Sequence, residues 1–187
     1  MAEKIILGID PGTTIMGYGL IRCDGKKVEL MQFGVVNLSK VKDNMLKLKM
    51  IFERSLHLIE QYKPDELAIE SQFYGKNVQS MLKLGRAQGT SIAAALYRDI
   101  PIFEYAPKRI KQAITGNGNA SKEQVAAMLT RLLNITEVPE FLDATDGLAV
   151  AMAHYFTGNK PDFSDGKSYS SWESFITSNP DRIKNRD

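Results

Sequence analysis

Four carboxylates in this chain stand where a fold could bring them to one point. Asp10 ends the apolar, β-branched run Ile5-Ile6-Leu7-Gly8-Ile9, which reads as a buried strand. Pro11-Gly12 stops that strand at once, because proline lacks an N–H and glycine accepts positive φ. Glu70 closes a second short run, Glu66-Leu67-Ala68-Ile69. Asp143 and Asp146 are three residues apart, so they share one helical face, and they lie in first turns where the helix dipole favours negative charge. Taken singly, each has an ordinary reading: Asp10 as a turn-capping aspartate, the pair as helix N-terminal acids. Together they suggest more. If the two strands are parallel neighbours, their carboxyl ends share a rim, and a helix packed there could bring its pair to the same place. Converging carboxylates raise one another's pKa values, so the arrangement calls for cations. Hard divalent ions with oxygen ligands are the natural partners, and two of them about 4 Å apart suit phosphodiester hydrolysis.

The elements that would position these acids follow from periodicity. Residues 16–23 and 28–37 read as two strands joined by the Asp24-Gly25 turn, so the first three strands form an antiparallel meander. Residues 44–62 carry Leu48, Ile51, Phe52, Ser55, Leu58, Ile59 and Tyr62 at helical spacing, and Pro64-Asp65 ends that helix before the strand 66–70. A long helix over 78–98 places Val78, Met81, Leu82, Gly85, Gly89, Ile92, Ala93 and Leu96 on one side. Its small residues would admit another helix closely, within the domain or from a second copy. A strand over 102–105, a basic helix over 107–115 and a helix opened by the capping box Ser121-Lys122-Glu123-Gln124 follow. The last helix, 142–156, carries Gly147, Ala144, Ala149, Ala151 and Ala153, which would let it lie close against a sheet.

The 187 residues and the net charge of +2 describe an ordinary chain of one domain, 1–158, with a polar tail, 159–187. The longest apolar run, 147–156, is far short of the roughly 18 residues a membrane span needs. Met-Ala-Glu-Lys leads straight into a strand, with no leader visible. Cys23 stands alone, which excludes an internal disulfide and a cysteine-rich zinc site. A cytoplasmic location is expected. Lys76, Lys83, Arg86, Lys108, Arg109, Lys111 and Lys122 gather in the middle of the chain, either as solvated helix faces or as a surface for nucleic acid. The loop 116–119 lacks the lysine-serine ending of a phosphate loop. His57 reads as structural, and His154, two turns beyond the acid pair, as a possible support behind it.

The motifs resemble the RuvC family of bacterial Holliday-junction resolvases, within the RNase H-like superfamily. The matching pieces are Gly8-Ile9-Asp10-Pro11-Gly12 with Gly17-Tyr18-Gly19, then Ala68-Ile69-Glu70 with Phe73 and Lys76-Asn77. They continue with Leu82-Lys83-Leu84-Gly85, Phe103-Glu104-Tyr105-Ala106 and Asp143-Ala144-Thr145-Asp146-Gly147-Leu148-Ala149, in order from about Ile5 to His154. The resemblance implies that Asp10, Glu70, Asp143 and Asp146 are metal-binding catalytic acids, Asp143 at a position where some relatives carry histidine. It implies that Lys111 and Lys122 lie close to the scissile phosphate and that Phe73 stacks on a base at the junction crossover. Tyr74, Lys76, Lys83, Arg86, Lys108 and Arg109 join Phe73 as expected DNA contacts.

The expected fold is an α/β, RNase H-like domain: a mixed five-stranded sheet, antiparallel meander plus parallel strands, flanked by helices. The expected activity is Mg²⁺-dependent nicking of two like strands of a four-way junction during recombination and repair, with two ions per site and Mn²⁺ as a substitute. The implied partners are junction DNA, a second copy in a homodimer and the RuvA–RuvB branch-migration complex. The long helix 78–98 is the candidate dimer contact. The rivals are a related nuclease acting on RNA or other branched DNA, an actin-like phosphotransferase or ATPase whose phosphate loop also reads Asp-x-Gly-Thr, and a catalytically silent junction-binding module. The chain is too short for the two domains of the actin-like class.

Overall fold

The structure, a computed structural model, describes residues 3–71, 77–135 and 142–158. The elements run β1 (Lys4–Asp10), β2 (Ile15–Asp24), β3 (Lys27–Asn37), α1 (Asn44–Tyr62), β4 (Glu66–Glu70), α2 (Val78–Leu96), β5 (Ile102–Tyr105), α3 (Pro107–Thr115), α4 (Lys122–Leu132) and α5 (Asp143–Gly158). One five-stranded sheet has the order β3-β2-β1-β4-β5. The first three strands are an antiparallel meander, and β1, β4 and β5 run parallel. Both expectations about the sheet hold, including the parallel pairing of β1 with β4.

Strand alternation divides the side chains between two helical layers. Leu7 and Ile9 of β1, Leu67 and Ile69 of β4 and Met16, Tyr18 and Leu20 of β2 pack towards α1 and α2. Ile6, Ala68, Ile21 and Cys23 pack on the other face with α3, α4 and α5. Asp10 and Glu70 have the parity of Ile6 and Ala68, so both acids point to the face that α5 covers. Side-chain caps start three helices: Asp43 accepts from the Met45 amide (2.7 Å), Asn77 from Ser80 (3.1 Å), and Ser121 with Gln124 completes the expected capping box. The second long helix ends at Leu96, two residues earlier than its periodicity predicts, and Asp99 adopts a left-handed φ of 54° on the way to β5.

α5 lies directly on the backbone of the sheet. A Cβ placed on Gly147 would come within 2.4 Å of the Tyr18 backbone, and one on Gly8 within 2.3 Å of the Gly147 carbonyl oxygen. Gly17 is equally confined, against the Asp143 carbonyl at 2.3 Å. Gly12 needs space too, since its Cβ would meet the Ile15 carbonyl at 1.8 Å. The positive φ expected at Gly12 is not what the turn uses; among the described glycines only Gly25 and Gly116 have it. Among the described residues no helix is long and apolar enough to cross a membrane.

The close approach makes a direct prediction. Gly147→Ala inserts a methyl group where only backbone is available to move, so it should destabilise the protein by about 1–3 kcal/mol. Urea unfolding would read this as a lower midpoint with an unchanged slope, and a change below about 0.5 kcal/mol would contradict the packing described.

Candidate active site

β1 and β4 end side by side, their last paired residues being Ile9 and Ile69, so Asp10 and Glu70 emerge from adjacent strand ends. The first turns of α5, seated on β1 and β2, bring Asp146 to the same rim. These three acids line one pocket of about 240 Å³ with Lys111 from α3 and Lys122 from α4; Pro107, Ile110, Val125 and Ala149 form its apolar wall. Asp143 is outside that lining. Its side chain is 39% exposed against 15% for Asp146, which places it on the rim.

The Lys122 ammonium joins the two α5 acids, 2.5 Å from Asp146 Oδ2 and 3.3 Å from Asp143 Oδ1. Burial pulls its pKa down, but the bond to Asp146 and the charges of both aspartates outweigh that and hold it above the ordinary lysine value. The acids at the strand ends are also raised, which for a carboxyl group disfavours the charged form. Burial, then the charges of Glu70 and Asp146, push the Asp10 carboxyl well above its usual range, with Lys122 opposing. Burial and the Asp146 charge push Glu70 up to about 7, against Lys122 and Lys111. Like charges enclosed together favour the protonated form, as electrostatics requires.

Among the described residues no group of three or more Asp, Glu, His or Cys side chains is gathered tightly enough to hold a metal ion as it stands. The donor set around the pocket is nevertheless all oxygen and anionic, which is the chemistry hard divalent cations select. A cation would relieve the repulsion that raises Asp10 and Glu70. The residues therefore fit such an ion.

The basic residues fall in different places. Lys108 and Arg109 are exposed on α3, while Lys83 and Arg86 on α2 border a small pocket with Thr13 and Lys47. Lys47, not singled out by its sequence, donates from Nζ to the Thr13 carbonyl at 2.7 Å and braces the loop that follows Asp10. Nothing in a lysine on the first turn of a helix signals that contact. His57 is exposed on α1, and Phe73, Tyr74 and Lys76 lie outside the described residues.

The family model for crossover junction endodeoxyribonuclease RuvC matches residues 6–154, a span that contains all four acids. The chain belongs to the RuvC family. The RuvC of Christiangramia forsetii is 60% identical over 183 residues, covering 98% of this chain and 94% of the relative. That of Bacteroides fragilis is 60% identical over 184 residues, covering 97% of each. These pairings extend beyond residue 158, past the end of the family model. Among solved structures, Thermus thermophilus RuvC superposes with a TM-score of 0.74 at 33% identity, covering 82% of this chain and 95% of that one. The same protein in complex with a Holliday-junction substrate gives 0.77 at 33% identity, covering 83% and 94%. The RNase H-like α/β fold expected from the motifs is the fold observed.

The raised acids predict a pH dependence. Between about 4.5 and 7 the folded protein keeps a proton on Glu70 that the unfolded chain has released, and Asp10 acts in the same direction. Unfolding free energy therefore falls as pH rises through this window. In chelator-containing buffer, Asp10→Asn should melt at the same temperature as the parent or higher at pH 8, with the difference narrowing towards pH 5. A mutant that melts lower at pH 8 than at pH 5, relative to the parent, would contradict the enclosed-acid description.

Proposed function

We propose that this protein resolves Holliday junctions as a crossover junction endodeoxyribonuclease, nicking two like strands of four-way DNA during recombination and repair. The observation that carries the reading is the convergence of Asp10, Glu70 and Asp146 on one rim, in a member of the RuvC family. Asp10, Glu70 and Asp146, with Asp143 at the edge, would hold two Mg²⁺ ions, for which Mn²⁺ should substitute. When bound, such ions supply Lewis acidity at the phosphodiester and an activated water. Lys111 and Lys122 place fixed positive charge beside the acids, where a phosphate would enter. Phe73 is assigned to stacking on a junction base, and Tyr74, Lys76, Lys83, Arg86, Lys108 and Arg109 to contacts along the DNA.

A homodimer belongs to the same proposal, since symmetric cutting of two strands needs two sites. α2 supports it. Its buried residues are Ala87, Ser91, Ala94 and Ala95, whereas Val78, Leu82 and Leu96 are 66%, 54% and 61% exposed. With Gly85, Gly89 and Ala93 these are the exposed members of the stripe that the periodicity picked out, while Met81 and Ile92 of the same stripe are half-buried and Ile92 packs against the core. A second copy would cover the exposed members. The RuvA–RuvB complex is assigned as a partner, the cytoplasm as the place of action, and residues 159–187 as a tail outside the nuclease domain.

A panel of labelled four-way, linear and RNA–DNA hybrid substrates, with and without Mg²⁺, separates this reading from a nuclease of other specificity. Asp10→Asn should reduce junction cleavage to background while preserving junction binding in a gel shift, because asparagine keeps the shape and removes the charge. Full cleavage by that mutant, with contaminating nuclease excluded, would sink the assignment. Phe73→Ala should lower cleavage more than binding, since phosphate contacts carry most of the affinity; equal losses in both assays would remove Phe73 from the proposed role.

A further inference from the structure

We propose that His154 is a positioning residue for the acid pocket: it ties α5, which carries Asp143 and Asp146, to the start of β4, whose far end carries Glu70, and to Tyr105 of β5 beside Glu70, and so sets the distance between the two groups of acids. The inference rests on the reading of that pocket given above.

The surface of α5 against the sheet cannot set this distance alone. Gly147 and Ala151 ride on the backbones of Gly8 and Tyr18, a contact that is close but smooth. Leu148 and Met152 beside this line are buried in the core shared with the sheet, but apolar contact is non-directional and fixes the helix along its axis less sharply than hydrogen bonds do. Among the described residues the side-chain hydrogen bonds from α5 to the sheet and its turns come from His154 and Tyr155, and only those of His154 reach β4 and β5. Its ring is 6% exposed, with Nε2 2.7 Å from Glu66 Oε2 and Nδ1 2.6 Å from the Tyr105 hydroxyl. Glu66 Oε1 accepts from Lys4 Nζ at 2.6 Å, and the Phe103 ring lies against the imidazole at 4.5 Å between centroids.

One set of protons satisfies the whole chain of bonds. With the imidazole proton on Nε2, the Tyr105 hydroxyl donates to Nδ1 and Nε2–H donates to Glu66. Tyr105 is the register partner of Glu70, and its carbonyl accepts from the Ser71 amide at 2.9 Å. A single residue thus holds the backbone at Glu70 and, through its hydroxyl, the helix that bears Asp146. Eight residues, about 12 Å of helix, separate His154 from Asp146. A helix is stiff along its axis over that length, so a slip at His154 arrives undiminished at the acids. A displacement of about 1 Å at reacting groups is enough to cost roughly 100-fold in rate.

The experiment uses the full chain with His154→Ala, His154→Gln and Tyr105→Phe. Mn²⁺ binding to the metal-free proteins is measured by calorimetry, junction binding in chelator, thermal midpoint, and cleavage against Mg²⁺ concentration. His154→Ala should bind Mn²⁺ about tenfold more weakly and need correspondingly more Mg²⁺ for half-maximal cleavage, with junction binding unchanged. His154→Gln should recover part of the loss, because its amide can still donate to Glu66. Tyr105→Phe removes one oxygen and should show the same shift in smaller measure; it decides the matter if His154→Ala does not fold. Lowered midpoints with unchanged Mn²⁺ isotherms and Mg²⁺ requirements would overturn the inference and leave His154 a buried structural histidine. A parent protein that binds no Mn²⁺ would instead overturn the reading of the pocket on which it rests.

Discussion

A helix can touch the backbone of a sheet only where neither surface carries side chains, and that constraint governs this molecule. Gly8, Gly17 and Gly19 on the strands and Gly147 on α5 clear the space. The approach removes a layer of side chains that would otherwise hold α5 away from Asp10. It also places the first turns of α5 beside the ends of β1 and β4, where the chain leaves the sheet and side chains can reach solvent. Strand parity does the rest, since Asp10, Glu66 and Glu70 all share the α5 face. The pocket is therefore a product of backbone packing before it is a product of charge.

Charge then works against the fold at that point. Asp10 and Glu70 are enclosed beside Asp146, where burial and then neighbouring negative charge disfavour the ionised form of both. Natural sequences are otherwise consistent from local propensity to global packing, and departures concentrate at functional sites. The opposite end of α5 shows the contrast. There a buried histidine and tyrosine, a half-buried carboxylate and an exposed lysine are joined by hydrogen bonds, and among the described residues no buried side-chain polar atom lacks a partner. One end of the helix stores repulsion and the other is fully satisfied.

Much of this was legible in the sequence because the signals are local. Pro11-Gly12 marks the end of β1 next to Asp10, the apolar run 67–69 points to Glu70, and the Gly/Ala composition of α5 announces its close packing. The capping box at Ser121 is a four-residue pattern, and it forms as written. What was not legible depends on residues far apart in the chain. Glu66, Tyr105 and His154 meet across separations of 49 and 88 positions, and no spacing rule connects them. Lys47 reaches the Thr13 carbonyl by a route that only the tertiary fold creates. Periodicity found the apolar stripe of α2 but could not say that Val78, Leu82 and Leu96 of it are exposed while Ile92 packs against the core, because a stripe looks the same against a core or a second molecule.

Lys122 shows how a local rule is broken by tertiary demand. It occupies the first position of α4, just after the Ser121 cap, where the positive end of the helix dipole disfavours a cation by about 0.3–1 kcal/mol. Asp143 and Asp146 occupy the equivalent turns of α5, where the dipole favours them. The two helix N-termini are brought together, and the lysine from one is held by the acids of the other at 2.5 and 3.3 Å. A charge-assisted bond of this kind, partly enclosed, exceeds the dipole penalty it offsets. The misplaced lysine is thus explained by its partners and not by its own helix. With Lys111 it sets positive charge beside the three carboxylates that line the pocket, so that an anion approaching the acids also meets cations.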